Sequence, residues 1–329
     1  MRFPRRRFLH LAAGAALLPI ATRSVWAPTY PERPIRLIVP FPPGGAYDSL
    51  GRPWAEKIKP LLGTVIIENI GGGGASLGAA AVARARPDGY TLLFGGSLPH
   101  VNEALLKTRP LYDPNKDLHP IMRVAVGYLA IAVHPSLTVT SLKELVAYAK
   151  ENPGKLSYGH TGIGSTNHMT GELFKSLAGI PDVVQIPYRG AGPVITDLIS
   201  GQIPMGVVAV TGQSLGFHRA GKIRILAVLS PKPLIAAPEL QTAAQAGFAG
   251  LTNAGSYGLL APAATPKSIV EQIAQASHEL LTSRDYQQML IETGFEATPD
   301  SNPEEFRQAL AADIEHWAPV VKALNLKID

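Results

Sequence analysis

Ile35-Arg36-Leu37-Ile38-Val39 runs straight into Pro40-Phe41-Pro42-Pro43-Gly44-Gly45-Ala46-Tyr47-Asp48, and this junction decides the fold. Five residues dominated by branched apolar side chains suit a strand buried on both faces. The proline–glycine run cannot continue that strand, and residues 50–62 then carry apolar side chains at helical spacing. The unit recurs downstream. Residues 65–68 form an apolar run, Gly71-Gly72-Gly73-Gly74 breaks the chain, residues 77–85 read as a helix and residues 90–94 as a strand. Strands separated by helices imply parallel pairing through crossover helices, so the fold class is α/β.

The second stretch repeats this logic. Ser141 caps a helix with Glu144 three residues on, and Asn152-Pro153-Gly154 ends it. Strands are expected near residues 156–158, 183–187, 205–210 and 223–228, with helices over 168–178 and 194–200. Phe306, Leu310, Ile314, Trp317 and Val321 repeat at helical spacing near the C-terminus, a pattern of core packing rather than of a cofactor site. Two longer apolar strands, over 125–134 and 256–262, are placed to cross between two lobes and act as a hinge. The expected division is residues 28–125 with 256–329 as lobe 1 and residues 126–255 as lobe 2.

The 329 residues suffice for two such lobes, and 46% hydrophobic against 17% charged residues is a globular composition. With no cysteine, disulfides, thiolate nucleophiles, Cys-ligated zinc and a lipid-anchored cysteine are all excluded. The net charge of +5 is local: Arg2, Arg5, Arg6, Arg7 and Arg23 precede residue 28 and no acid does, so the remaining 25 basic residues balance the 25 acids. No basic cluster remains for nucleic acid. Residues 1–27 read as a cleavable signal peptide. Arg5-Arg6-Arg7-Phe8-Leu9 matches the twin-arginine pattern, an ordinary Sec signal being the alternative. The apolar run over 9–20 is too short to span a bilayer. A soluble protein exported to the periplasm is expected.

The chemical motifs point to binding rather than catalysis. The Gly71–Gly74 run lacks the Gly-Lys-Ser/Thr and G-x-G-x-x-G patterns of phosphate and dinucleotide sites, and reads as a turn. The eight histidines after His10 show no metal-ligand spacing, so neither metal nor cofactor is expected. No nucleophile elbow is present; a serine hydrolase built on Ser97 or Ser165 with His100 or His168 is the lesser alternative. What stands out is three loops at strand C-termini, over residues 40–48, 159–168 and 188–192, rich in Gly, Ser and Thr. Ligands of open α/β sheets bind at those ends, where backbone N–H groups and helix dipoles attract anions.

Several motifs are similar to those of the tripartite tricarboxylate transporter solute-binding family, also called the Bug family. They are Tyr30-Pro31, the run from Pro34 to Phe41 with Gly44-Gly45 and Asp48, Pro87-Asp88-Gly89-Tyr90-Thr91-Leu92-Leu93, Asn152-Pro153-Gly154-Lys155-Leu156-Ser157-Tyr158-Gly159, Gly171-Glu172-Leu173-Phe174-Lys175, Pro187-Tyr188-Arg189-Gly190, Ala220-Gly221-Lys222-Ile223-Arg224 and Gly258-Leu259-Leu260-Ala261-Pro262. The resemblance implies a two-lobed periplasmic binding protein fold that closes on a small carboxylate and delivers it to a membrane permease, with a monomeric receptor. The same closure would serve a periplasmic sensor for a signalling kinase. By position, Phe41, Gly44, Gly45, Ala46, Tyr47 and Asp48 form one half of the implied grip, and Gly162, Gly164, Ser165, Thr166, Asn167 and His168 the other. Ser97 and His100 match a third, lesser loop, and Tyr188 and Arg189 a fourth contact, in which Arg189 either neutralises a second carboxylate or lies at the surface. Where many relatives carry an acid after Met205-Gly206-Val207, this chain has Val208-Ala209-Val210-Thr211, which argues against ligands with an amino group. Tyr47 replaces a small polar residue, and either stacks on an aromatic ligand or narrows the cleft. Pro53 is expected to shift the start of the first helix.

Overall fold

The structure, a computed structural model, describes residues 30–328, so the signal-peptide reading of residues 1–27 lies outside the described residues. The chain divides into two units, Met1–Glu32 and Arg33–Asp329. Of the first, only residues 30–32 are described, and everything below belongs to the second.

Among the described residues, ten strands carry the fold. β1 (Ile35–Val39) lies between β2 (Val65–Asn69) and β3 (Thr91–Gly96), all parallel, as the apolar runs and intervening helices require. β5 (Ser157–His160) lies likewise between β6 (Val184–Pro187) and β7 (Met205–Ala209). One strand joins the two sets. β4 (Leu118–Val133) pairs antiparallel with β9 (Ala254–Pro262) over Leu118 to Tyr128, then with β7 and β8 (Arg224–Val228) over its last residues. β9 also pairs with β3, and the short β10 (Glu296–Ala297) edges β4.

β4 begins seven residues before the expected start at Ala125. The extension hides in the sequence because Pro120, with His119 and Arg123, breaks the apolar run. Pro120 cannot donate to the ladder, and the register against β9 shifts there and again between Arg123 and Ala125. α1 (Ala46–Lys57) starts at Ala46, not at Leu50, because Gly45 takes an extended N-cap conformation right after the turn. Pro53 sits in the interior of α1 rather than setting its start. The expected helix over 50–62 is in fact two: α1 ends at Lys57, and α2 (Lys59–Leu62) restarts with Pro60 in its first turn, where a missing N–H costs nothing.

Helices flank both strand sets. α3 (Ser76–Ala83) presses close to the loop after β1, and Gly78 permits it: a Cβ there would meet the Ile70 carbonyl at 2.6 Å and Pro40 Cα at 2.9 Å. The C-terminal helix α11 (Pro303–Ala323) buries Phe306 and Leu310 with Ile38, Leu93 and Leu260. Further along, its Trp317 and Val321 join Val101, Leu106 and Met169, the last from α6 (Thr166–Ala178), so the apolar stripe expected to be core spans both strand sets. α4 (Ser97–Val101) follows β3, and α5 (Leu142–Glu151) is capped by Ser141 as expected. α7 (Ala191–Ser200), α8 (Gly212–Arg219), α9 (Lys267–Thr282) and α10 (Arg284–Glu292) complete the fold. Among the described residues no helix is long and apolar enough to cross a membrane.

Candidate functional site

Parallel strands place their C-terminal ends on one side, and four helices start there. α1 follows β1, α6 follows β5, α7 follows β6 and α8 follows β7. Residues from all four starts line one cavity, with about 1060 Å³ of empty space including its open mouth. Each start presents N–H groups without intrahelical partners, and its dipole favours negative charge.

The first loop is tied from behind. Asp48, nearly fully buried, accepts the Gly44 N–H at 3.0 Å and the Arg52 Nε–H at 2.8 Å through Oδ2. Asn69 Nδ2 donates to Asp48 Oδ1 at 3.0 Å and to the Phe41 carbonyl at 2.9 Å. Burial alone would raise the Asp48 pKa, but the Arg52, Asn69 and Gly44 donors outweigh it and hold the carboxyl below its ordinary value. Thus Phe41, Gly44, Gly45, Ala46 and Tyr47 line the cavity, and Asp48 braces them without lining it. Phe41 stacks on Tyr47 (4.9 Å, 25°), which meets the edge of Tyr257 at 4.7 Å.

The second loop is braced by polar side chains. Ser165 Oγ accepts the His168 N–H at the start of α6. Asn167 Nδ2 donates to the Val207 carbonyl at 2.9 Å, and Thr161 Oγ1 donates to Asn167 Oδ1 at 3.0 Å, fastening α6 to β7. The His160 ring lies within 2.5 Å of Gln185 Oε1 and stacks on the His168 ring at 4.6 Å. Burial, then the neighbouring His160, lowers the His168 pKa to about 4, so its ring is neutral near pH 7 and its Nδ1 accepts the Gly164 N–H. Thr166 and Asn167 line the cavity; Gly164 and His168 do not. Gly164 packs instead against Ile328 and Leu106. Gly162 and Ser165 line an adjoining cavity, together with Gly71–Gly74, Lys107 and Lys327.

In the third loop Tyr188 donates its hydroxyl to Asp197 at 2.7 Å and stands outside the cavity, whereas the exposed Arg189 lines both cavities. Arg189 is the only charged side chain of the described residues that lines the first cavity. The structure does not bring Ser97 and His100 to it. Ser97 donates to Asp313 Oδ2 at 2.5 Å and accepts the Ser256 N–H at 2.7 Å; His100 is buried with Nδ1 3.0 Å from the Gly96 carbonyl. They share the rear face of α4 at a spacing of three, while Leu98 turns to the cavity. Both serine hydroxyls are therefore held by partners other than an imidazole. Among the described residues no three His, Asp or Glu side chains gather as a metal site.

The segment after Val207 leads into a fourth loop, whose helix start was not among the expected site residues. Thr211 and Ser214 cap α8 reciprocally, and Thr211, Gln213 and Ser214 line the cavity. The Thr211-x-x-Ser214 spacing after an apolar run was the available signal. The acid-free segment after Val207 forms the wall through Val208 and Ala209.

Residues 52–326 match the family model for the tripartite tricarboxylate transporter family receptor. Protein BugT of Bordetella pertussis is 33% identical over 317 residues, covering 94% of this chain and 96% of that protein. A structure described as a periplasmic transporter is 36% identical with a TM-score of 0.86, over 91% of this chain and 100% of its own. A Rhodopseudomonas palustris protein solved with adipate is 32% identical with a TM-score of 0.84, over 91% and 99%. The shared architecture is the two-lobed periplasmic binding protein fold, each lobe a sheet flanked by helices. The chain belongs to the tripartite tricarboxylate transporter receptor family.

Proposed function

We propose that this chain is an exported periplasmic receptor that captures a small organic carboxylate between its lobes and delivers it, as a monomer, to a membrane permease of the tripartite tricarboxylate type. One observation carries the reading: four helix starts converge on a single cavity whose described lining contains no acid. Such a site stabilises an anion through oriented N–H groups and dipoles. The adipate-bound relative supports a carboxylate as that anion. On this reading the described residues of 28–125 and 256–329 form one lobe and residues 126–255 the other, with the strands over 125–134 and 256–262 as the hinge. Phe41 and Gly44 to Tyr47 grip from one lobe, Thr166, Asn167 and Arg189 from the other. The protein binds and releases its ligand unchanged.

The test is thermal unfolding of the purified protein, freed of endogenous ligand, against mono-, di- and aromatic carboxylates. A ligand at 100 times its Kd stabilises the folded state by about 2.7 kcal/mol, an upshift of about 4 °C for a chain of this size. Mass spectrometry of the released ligand must find it unaltered. A flat response to every carboxylate, with no molecule recovered by denaturing extraction, sinks the proposal. N-terminal sequencing of the periplasmic form should begin near Pro28.

A further inference from the structure

Resting on that receptor reading, we infer that the ligand is a monocarboxylate with a flat, apolar body of the aromatic-acid class. The apolar lining of the cavity differs in kind from its helix starts. Part of it is a continuous aromatic set: half-buried Phe41 stacks on Tyr47, and Tyr47 meets Tyr257 edge-on. Aliphatic lining comes from Val194 and Val208, buried together in one apolar cluster. A cavity lined by an aromatic set and by branched aliphatic side chains suits a planar ring, which gains from ring–ring packing beyond simple burial.

The polar groups are mostly committed elsewhere. Thr161 and Asn167 bond to each other and to the Val207 carbonyl; Ser214 donates to the Ala209 and Thr211 carbonyls. Burial pushes the Tyr47 hydroxyl well above its ordinary pKa, so it stays neutral. Arg189, the one cation among the described lining residues, is exposed. One carboxylate is served by the helix starts. A second, at the far end of a ligand such as adipate, would meet the neutral Thr166 and Gln213 side chains and apolar lining with no buried cation, which is unfavourable for a charge.

The test is titration calorimetry on protein unfolded and refolded to remove endogenous ligand, with benzoate, cyclohexanecarboxylate, adipate, malate and citrate. Benzoate is expected to bind at least tenfold more tightly than adipate, malate or citrate and at least threefold more tightly than cyclohexanecarboxylate. In Phe41→Leu, which keeps an apolar side chain but loses the ring, the benzoate-to-cyclohexanecarboxylate ratio should fall towards one. Adipate, malate or citrate equal to or tighter than benzoate overturns this inference and leaves the receptor reading standing. Equal binding of benzoate and cyclohexanecarboxylate overturns the planar requirement. Binding of none of the five, with no other carboxylate active in the thermal panel, overturns both.

Discussion

Asp48 Oδ2 accepts the Gly44 N–H at 3.0 Å, so the loop after the first strand is closed on itself by a carboxylate that does not line the cavity. Arg52 and Asn69 complete the clamp. Asp48→Asn keeps the shape but removes the charge that holds three donors. Loss of one charge-assisted bond in a nearly buried site costs about 2 kcal/mol. Because the folded-state pKa is depressed, the stabilisation is complete above the unfolded value of about 4 and is lost as pH falls through the folded value. Urea unfolding from pH 3 to 7 should therefore show the variant's deficit at pH 7 shrinking towards pH 3. A deficit of constant size would show that the charge of Asp48 plays no part.

Gly45 and Gly162 separate occupancy from strain. A Cβ on Gly45 would meet nothing within 4 Å, and its φ of −87° suits any residue, so Gly45→Leu should fold with its Tm almost unchanged while its side chain enters the cavity. Ligand affinity should fall at least tenfold. Gly162 has φ +130°, a conformation that L side chains rarely adopt, and a Cβ would lie 3.4 Å from the Tyr188 carbonyl. Gly162→Leu should lose about 1–3 kcal/mol of stability as well as affinity. Calorimetric titration and thermal unfolding of both variants check the pair; unimpaired binding by Gly45→Leu would place the ligand elsewhere.

The strand–helix alternation and the first strand's bounds were legible in the sequence, since apolar runs ended by Gly and Pro have few other readings. Three of the four loops were legible for the same reason. Tyr257 was not: it stands 210 residues from Tyr47 and reaches it only through the antiparallel pairing of β9 with β3. Ser97 and His100 misled because the resemblance matched their loop to the cleft; only Leu98 of it lines the cavity, and the facing of α4 onto α11 turns the other two away. Pro120 concealed the start of β4 because a proline in a central strand normally argues against one; here bulges accommodate it.

Arg189 is the only charged side chain of the described residues lining the first cavity, yet it is exposed. Water and salt screen a charge so placed, and its pairing with a carboxylate is worth about 1 kcal/mol or less. Arg189→Gln should therefore weaken carboxylate binding only about threefold to fivefold at 0.15 M salt, and the difference from the parent should vanish at 1 M. Titrations at both salt concentrations decide it. A hundredfold loss would mean that the arginine swings inward on closure and carries the anion itself.

Asp313 lies on α11, where its carboxylate takes the Ser97 hydroxyl at 2.5 Å, and Ser97 in turn takes the Ser256 N–H of β9. Burial raises its pKa to about 6, against the opposing pull of Ser97 and Arg123. The sign follows from the raised value. The folded protein binds this proton more tightly than the unfolded chain does, so the carboxylate is a burden above pH 6 that disappears as pH falls towards 4. The burden is on the order of 2–3 kcal/mol at pH 8 for a shift of this size. Asp313→Asn retains an oxygen for Ser97 and carries no charge. Its stability relative to the parent should improve as pH rises from 4.5 to 8, as read from urea midpoints at each pH. Parallel curves for the two proteins would show that Asp313 titrates normally and that the Ser97 bond, not the proton, sets its role behind the cleft.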